Sequence, residues 1–231
     1  MRLIIIGLFA LAISHLLRAQ QPDAATIIHD LDAANQSRFE TILAFTDIEH
    51  YAVYRGKDQI HPAAEMTVRM TYRKESGKTF EILSQSGSSL IQKFGLRPLL
   101  DGESAINDPA KVAQSWFTSA NYSMHLKPGV TQMIDGHACL AIAISPRHRA
   151  PNLIEGTLWV DARDHMQVEV EGVASRSPSA FARTTKMMRR YTAMQGHAMA
   201  THARAESSGL FGRTVVVIDY SDYHFQLRHL K

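Results

Sequence analysis

The stretch Gly156–Gly172, GTLWVDARDHMQVEVEG, decides the fold because two β-type runs flank the polar break Ala162–His165. In the second run Met166, Val168 and Val170 alternate with glutamine and glutamate. A period of two is typical of a strand with one buried and one solvated face. The stretch therefore predicts a hairpin within an antiparallel sheet.

The length of the break sets the face on which each residue of this hairpin lies. Residues directly opposite each other on paired strands share a face. A four-residue loop places Trp159 opposite Val168, on the apolar face. A three-residue loop places Leu158 and Val160 there instead and turns the tryptophan outward. We favour four residues, the length of the polar break.

Further alternating runs predict a wide sheet with a few helices inserted between its halves. Asp135-Gly136 is a strong hairpin signal, and Gln195-Gly196 marks a later turn. No repeat or Pro/Gly-rich linker divides the chain. The predicted strands are Asp47–Arg55, Ala64–Lys74, Thr79–Gln85, Val130–Ile134 and its return strand to Ser145, the two strands of the opening hairpin, Ala182–Ala193, His197–Ser207 and Arg213–Tyr220.

Helices are predicted at three places. Asp23 can cap an amphipathic helix whose residues Ile27, Ile28 and Leu31 recur at helical spacing. Apolar residues interrupted by glycine and proline predict a short, irregular helical segment over residues 90–100. Asp108-Pro109 has the form of a helix start. A type II turn is predicted at Pro128-Gly129.

The first 19 residues have the pattern of a secretory signal peptide. Arg2 precedes the apolar run Leu3–Leu17, and Ala19 offers a cleavage site. We expect residues 20–231 to form one exported domain, periplasmic or associated with the outer membrane. A retained N-terminal anchor is the alternative. Gln20 stands where a lipid-anchored protein would carry cysteine.

Composition excludes several classes of function. The formal charge of +3 falls to +1 without the two arginines of the signal segment, and no basic block occurs, so no nucleic-acid partner is expected. Cys139, the single cysteine, lies in an apolar run and is expected to be a buried small hydrophobe. We expect a monomer.

No catalytic or metal-binding motif is present in the sequence. The 12 histidines include no His-Glu-x-x-His pair, and no Gly-x-Ser-x-Gly elbow occurs. We therefore expect no enzyme activity, no metal and no cofactor. An enzyme would need a polar cluster in the concavity of the sheet, and none is predicted. Four cations, Arg183, Lys186, Arg189 and Arg190, are interpreted as a wet strand face, with lipid headgroup attraction as the alternative.

The pattern resembles the lipoprotein-carrier superfamily, which includes the carrier LolA, the receptor LolB and the sensor RseB. The resemblance rests on an exported chain, an N-terminal amphipathic helix, a long antiparallel meander and the hairpin Gly156–Glu171. It implies an unclosed antiparallel β-barrel, a half-barrel, covered by helices. It also implies that acyl chains bind in the apolar concavity and that no residue is catalytic. The helical region Ser88–Ala120 is longer than a minimal carrier needs.

The predicted function is a periplasmic carrier for lipid or lipoprotein acyl chains. A protein-interaction or envelope-stress sensor module that binds a membrane-bound partner is the alternative, and an enzyme with an unrecognised site is the least expected. The candidate cavity residues are Met66, Val68, Met70, Trp159, Met166, Val168 and Val170, with Ile27, Ile28 and Leu31 on the covering helix.

Overall fold

The computed structural model describes residues 23–176, 182–209 and 212–228, so the predicted signal segment lies outside the described residues. Ten strands follow one another along the described chain. They are β1 Ile42–Arg55, β2 Ala64–Arg73, β3 Gly77–Gly87, β4 Tyr122–Ile134, β5 His137–Pro146, β6 Ile154–Asp161, β7 Gln167–Ala174, β8 Ala182–Met194, β9 His197–Gly209 and β10 Gly212–Leu227.

All ten strands belong to one antiparallel sheet in the order β3-β2-β1-β10-β9-β8-β7-β6-β5-β4. Consecutive strands pair with each other apart from β3 and β4, and β1 pairs with β10 in addition to β2. The edge strands β3 and β4 do not pair with each other, so the sheet stays open. The predicted unclosed half-barrel with covering helices is confirmed.

Two helical regions cover one face of this sheet. The first is α1, Ala24–Thr41. The second, which we call the lid segment, is Ser89–Ile106 and comprises α2 Ser89–Ile91, a π-helical turn Gln92–Leu96 and α3 Arg97–Ile106. No helix among the described residues is long and apolar enough to cross a membrane.

Three local predictions differ from the structure. Asp23 occupies the N-cap position of α1, but its side chain makes no capping hydrogen bond. Asp108 starts a turn in which its carboxylate accepts from the Ala110 N–H at 2.8 Å, and only the 3₁₀ turn Val112–Ser115 follows. The Pro128-Gly129 pair lies within β4, where the pairing with β5 is irregular, rather than in a turn between strands.

Both glycine-containing hairpin turns are confirmed. Asp135 and Gly136 have φ of 47° and 84°, and Gln195 and Gly196 have φ of 53° and 79°. Two consecutive positive φ angles are the mark of a type I′ turn, which matches the right-handed twist of the flanking strands. Local sequence therefore sets the pairing of β4 with β5 and of β8 with β9.

The opening hairpin has the predicted four-residue loop but not the predicted pairing. The Asp161 N–H donates to the Met166 carbonyl at 2.9 Å, which closes the loop. Beyond the loop a β-bulge leaves Val168 without a direct partner, because Trp159 pairs with Glu169. An extra residue in one strand shifts its pairing by one, so every residue beyond it lies opposite a different partner and shares that partner's face. The prediction that Trp159 and Val170 share a face is therefore wrong.

We define the inner face as the face of the sheet that the helices cover. On this face the cross-strand partners form one continuous row across the sheet. Each member lies opposite the next on the neighbouring strand, so all share this face. The row is apolar except near its middle, where it contains an arginine. From β4 to β2 it comprises Leu126, Ile142, Leu158, Val170, Arg189, Ala203, Ile218, Tyr51 and Met66.

Candidate ligand-binding site between the sheet and its helices

The structure divides the predicted cavity residues among five places. Ile27 and Leu31 of α1 pack on Val170 in one buried cluster, and Ile28 contacts its edge. Met66 and Val68 pack under Leu96 and Leu100 of the lid segment in a second cluster. Met70 belongs to a third cluster with Ile42, Phe45 and Met199. These three clusters lie on the inner face and contain seven of the ten predicted cavity residues.

Trp159 and Val168 lie apart from these clusters, on the outer face. They pack with Ile134, Cys139 and Ala141, and the Trp159 indole N–H donates to Glu171 Oε1 at 3.2 Å. Met166 is half-buried beside the hairpin loop. Leu158 and Val160, the residues of the alternative register, pack with α1 instead.

The outer-face cluster accounts for the single cysteine. Cys139 is buried, as predicted, and its S–H donates to the His137 carbonyl at 3.4 Å. Burial raises the pKa of the thiol to about 11, and the neighbouring Asp161 carboxylate adds to the rise. A thiol with a raised pKa holds little reactive thiolate at neutral pH.

Polar contacts hold the first half of α1 in place. Asp32 accepts from both the backbone N–H and the hydroxyl of Ser119, at 2.8 and 2.5 Å. Asp30 lies 2.6 Å from His165 Nδ1 in the hairpin loop. Both contacts are partly exposed, so they position the helix on the sheet while water can still compete for them.

The lid segment is fastened at both ends. Gln92 donates from its amide to the carbonyls of Glu65 and Ser86, each at 2.7 Å. Near the other end, Lys78 of β3 lies 3.3 Å from Glu103 of α3 and 4.0 Å from Glu49 of β1. Because the Lys78 and Glu103 side chains are only 16% and 21% exposed, this pair is screened much less than a surface pair.

A belt of charged and aromatic hydroxyl groups crosses the inner face, so the expectation of a concavity without a polar cluster is wrong. Arg38 reaches it from α1, Arg189 from β8, and Tyr191 and Tyr220 lie beside them. Desolvation is the largest influence on the pKa of each of these four groups. Their side chains are nevertheless only half-buried. These four groups are therefore desolvated although none of them is fully covered, and Arg38 among them lines a cavity.

The charges of this belt shift one another. Burial alone would raise the Glu103 pKa, but the Lys78 ammonium and the Arg189 guanidinium outweigh it, and the Glu103 pKa is lowered. Burial alone would lower the Arg189 pKa, but Tyr220, Tyr191 and Glu103 raise it. These cations and this carboxylate therefore compensate one another.

Two carboxyl groups on β1 are less well compensated. Burial raises the pKa of Asp47 to about 7, and the neighbouring Glu49 adds to this rise, while Lys78 and Tyr223 oppose it. Burial likewise raises the pKa of Glu49, whose carboxylate accepts a short hydrogen bond from the Tyr51 hydroxyl. One oxygen of each carboxyl group is buried without a hydrogen-bond partner among the described residues.

A cavity of about 40 Å³ opens between α1, the strands β1 to β3 and the connection from Asn107 to Trp116, at the edge of this belt. Such a volume holds about one water molecule and no acyl chain. Its wall combines cations, amides and large apolar side chains. The lining residues are Asn35, Arg38, Phe39, Ile42, Phe45, Tyr72, Lys78, Asn107, Val112 and Trp116.

Sequence reasoning missed most of the belt. The wet-face interpretation fails for Arg189, which lies on the inner face, but it holds for Arg190, which pairs with Glu169 at 2.7 Å on the outer face. Because Arg189 and Arg190 are consecutive on a strand, their side chains face opposite sides of the sheet. Only the pairing with β7 decides which of the two faces inward. Within residues 23–176, 182–209 and 212–228, no three histidine, cysteine or acidic side chains are grouped to hold a metal ion.

Comparison with solved structures places this fold. A domain from Vibrio parahaemolyticus classed with outer-membrane lipoprotein-sorting proteins matches with a TM-score of 0.53 and 12% identity, covering 90% of this chain and 95% of that one. A LolA superfamily protein from Nitrosomonas europaea matches at 0.46 and 16% identity, covering 90% of this chain and 94% of that one. No protein-family model and no curated protein matches the chain.

At these identities the likeness concerns the fold alone. The Vibrio domain shares the overall fold of this chain, and the predicted open antiparallel sheet with covering helices is confirmed. The class that the fold and the site define is a half-barrel that encloses an internal space between a sheet and its helices.

Proposed function

We propose that this protein is an exported, periplasmic carrier that binds the acyl chains of a lipid or lipoprotein between the inner face of the sheet and its helices. The observation that carries the proposal is the row of inner-face residues, which is apolar on both sides of Arg189 and covered by two separately attached helical regions. The Vibrio domain of similar fold is classed with outer-membrane lipoprotein-sorting proteins, which agrees with this role.

The cavity of about 40 Å³ beside Arg38 cannot accept an acyl chain, so loading at this place would require a helix to move. The two coverings differ in how they are held. Partly exposed polar contacts position α1, whereas the lid segment is tied by Gln92 and by the Lys78–Glu103 pair. Displacing either would expose an apolar cluster to the incoming chain.

Under this proposal the apolar lining keeps seven of the ten predicted residues. Leu158 and Val160 are added, and Trp159, Met166 and Val168 are left out. Each buried methylene of a ligand contributes about 0.8 kcal/mol. Affinity should therefore rise about fourfold with each methylene added to a fatty acid. The proposed lining residues are Ile27, Ile28, Leu31, Met66, Val68, Met70, Leu158, Val160 and Val170.

The test is a titration with fatty acids of 8, 10 and 12 carbons, which compete with a fluorescent apolar probe for the delipidated chain. Val170→Thr and Val168→Thr form a matched pair, because both valines are buried on β7 but only Val170 packs with α1. We expect Val170→Thr to weaken binding and Val168→Thr to leave it unchanged. Affinity that does not depend on chain length would contradict the proposal.

A second candidate function is docking of a partner protein on the same open sheet. The observation in its favour is that both edge strands carry exposed apolar side chains, Leu83 on β3 and Val130 and Met133 on β4. Open edges can accept a further strand. Native mass spectrometry separates the candidates: co-purified lipid supports the carrier, and a bound protein without lipid supports docking.

A further inference from the structure

Arg38 of α1 turns toward the sheet rather than toward solvent, and its Nε is buried. It lies in the last turn of α1 and lines the cavity between this helix, the strands β1 to β3 and the connection from Asn107 to Trp116. The charged or ionisable groups with the largest influence on it are Tyr72, Tyr223, Tyr191 and Arg189. They belong to β2, β10 and β8, and Arg38 shares its cavity with Ile42, Phe45 and Tyr72, so the guanidinium lies over the inner face near the start of β1.

Within the part of the chain that the structure describes, no carboxylate lines the cavity beside this guanidinium. Among the described residues Arg38 makes no ion pair, and its buried Nε has no hydrogen-bond acceptor. Burial lowers the Arg38 pKa, and the second arginine, Arg189, acts in the same direction. A buried donor without an acceptor is costly, and an uncompensated charge more so. The carbonyls at the end of α1 offset only part of that cost.

The other interior cations differ from Arg38 because they have acidic neighbours. Lys78 pairs with Glu103 and lies within 4.0 Å of Glu49. Arg189 is influenced by Glu103 and by the hydroxyl of Tyr191. Asp47 and Glu49 each keep one buried carboxyl oxygen without a hydrogen-bond partner, but neither is among the groups with the largest influence on the Arg38 pKa, and the Arg38 Nε–H stays unused.

The composition of the cavity wall fits an anion with an apolar tail. Two cations, Arg38 and Lys78, and two amides line it, and no carboxylate does. Beside them stand the apolar side chains of Phe39, Phe45 and Trp116. A guanidinium recognises a carboxylate or a phosphate through two parallel hydrogen bonds. A free anion would leave the aromatic part of this wall without a contact.

We propose that Arg38 binds the acidic head group, a carboxylate or phosphate, of a single- or multiple-chain amphiphile whose acyl part lies along the inner face. This inference rests on the proposed carrier function and specifies the ligand class. Arg38 selects the head group, and the apolar clusters bind the tail.

The test uses ligands of equal chain length and different head groups: dodecyl phosphate, dodecanoate, dodecanol and dodecyltrimethylammonium. Each displaces a neutral fluorescent probe from the full chain, and inorganic phosphate and acetate are added as free anions. We expect the two anionic amphiphiles to bind about tenfold more tightly than dodecanol, the effect of a charge-assisted hydrogen bond.

Three variants assign the effect to this residue. Arg38→Gln should bind the four amphiphiles with nearly equal affinity, while Arg38→Lys, which keeps the charge without the planar fork, should retain part of the preference. Arg149→Gln removes an exposed loop arginine and should behave as wild type. Circular dichroism verifies that each variant folds. If Arg38→Gln does not fold, the comparison of Arg38→Lys with the wild type still decides the test.

The outcomes separate this inference from the carrier function. If all four amphiphiles bind equally, the head-group role of Arg38 is wrong and the carrier stands. If none binds, both are wrong. Equal binding of inorganic phosphate and dodecyl phosphate would show a site for a free anion and overturn the amphiphile assignment. A preference that survives in Arg38→Gln would place head-group recognition elsewhere.

Discussion

Trp159 of β6 lies directly opposite Glu169 of β7, one residue away from the partner that an unbroken register would give it. The bulge at Val168 produces this pairing, and it turns Leu158 rather than Trp159 toward α1. The two tryptophans of the chain therefore report on different places, since Trp116 lines the cavity and Trp159 lies on the outer face.

Tryptophan fluorescence should distinguish these places. With Trp159→Phe, the emission of Trp116 is expected to change when dodecanoate binds, because the ligand would enter beside its ring. With Trp116→Phe, the emission of Trp159 is expected to remain constant through the same titration. Emission spectra of the two single-tryptophan chains make the comparison, and a response confined to Trp159 would contradict the observed pairing.

The Lys78–Glu103 pair should control opening of the lid segment. Glu103→Gln leaves the Lys78 ammonium with Glu49, at 4.0 Å, as its nearest carboxylate. We therefore expect the free energy of unfolding to fall by about 1–3 kcal/mol. Hydrogen exchange of residues 89–106 should accelerate accordingly. The exposed pair Arg69–Glu81 provides the control, because Glu81→Gln should cost less than about 1 kcal/mol. Equal exchange in the two variants would exclude this role.

Stability should fall as the pH rises from about 4 to above 7. The pKa of Asp47 is raised to about 7 in the folded protein, so in this range the folded state holds a proton that the unfolded chain releases. At about 1.4 kcal/mol per pKa unit, the loss attributable to Asp47 is roughly 2–4 kcal/mol. It is absent below the unfolded pKa and complete above the folded one.

Urea unfolding at pH 5 and pH 8 measures this effect. Asp47→Asn mimics the protonated group and should flatten the difference between the two pH values. Asp101→Asn, at an exposed position on α3, should leave the difference unchanged. A wild-type protein that is more stable at pH 8 than at pH 5 would show that other groups dominate.

A pair of glycines should be indispensable where β6 and β7 approach closely. Gly156 and Gly172 are cross-strand partners, and a Cβ on Gly156 would lie 2.0 Å from the Glu171 carbonyl oxygen. Gly156→Ala must therefore separate the strands, and we expect a loss of more than about 3 kcal/mol. Gly102→Ala, in open space on α3, should instead stabilise by about 0.5–1 kcal/mol. Thermal unfolding of both variants provides the measurement.

Local sequence was sufficient for much of the architecture. Alternation placed the strands, and the Asp135-Gly136 and Gln195-Gly196 pairs set their turns, because a type I′ turn needs only residues that accept positive φ. Helical spacing located Ile27 and Leu31, which are buried as predicted. These patterns predict a wide sheet packed against helices, since each element must bury one apolar face, whereas the open form of the sheet was implied by the family resemblance.

The tertiary structure decided which side chains meet inside. A single bulged residue exchanged Trp159 for Leu158, and no local pattern marks Val168 as the extra residue, because it continues the alternation without interruption. Arg38 and Arg189 are 151 positions apart and come together only because α1 folds across β8. Periodicity by itself determined that the sheet has a dry face, while register and helix placement, which depend on contacts distant in sequence, decided that this face carries a charged belt.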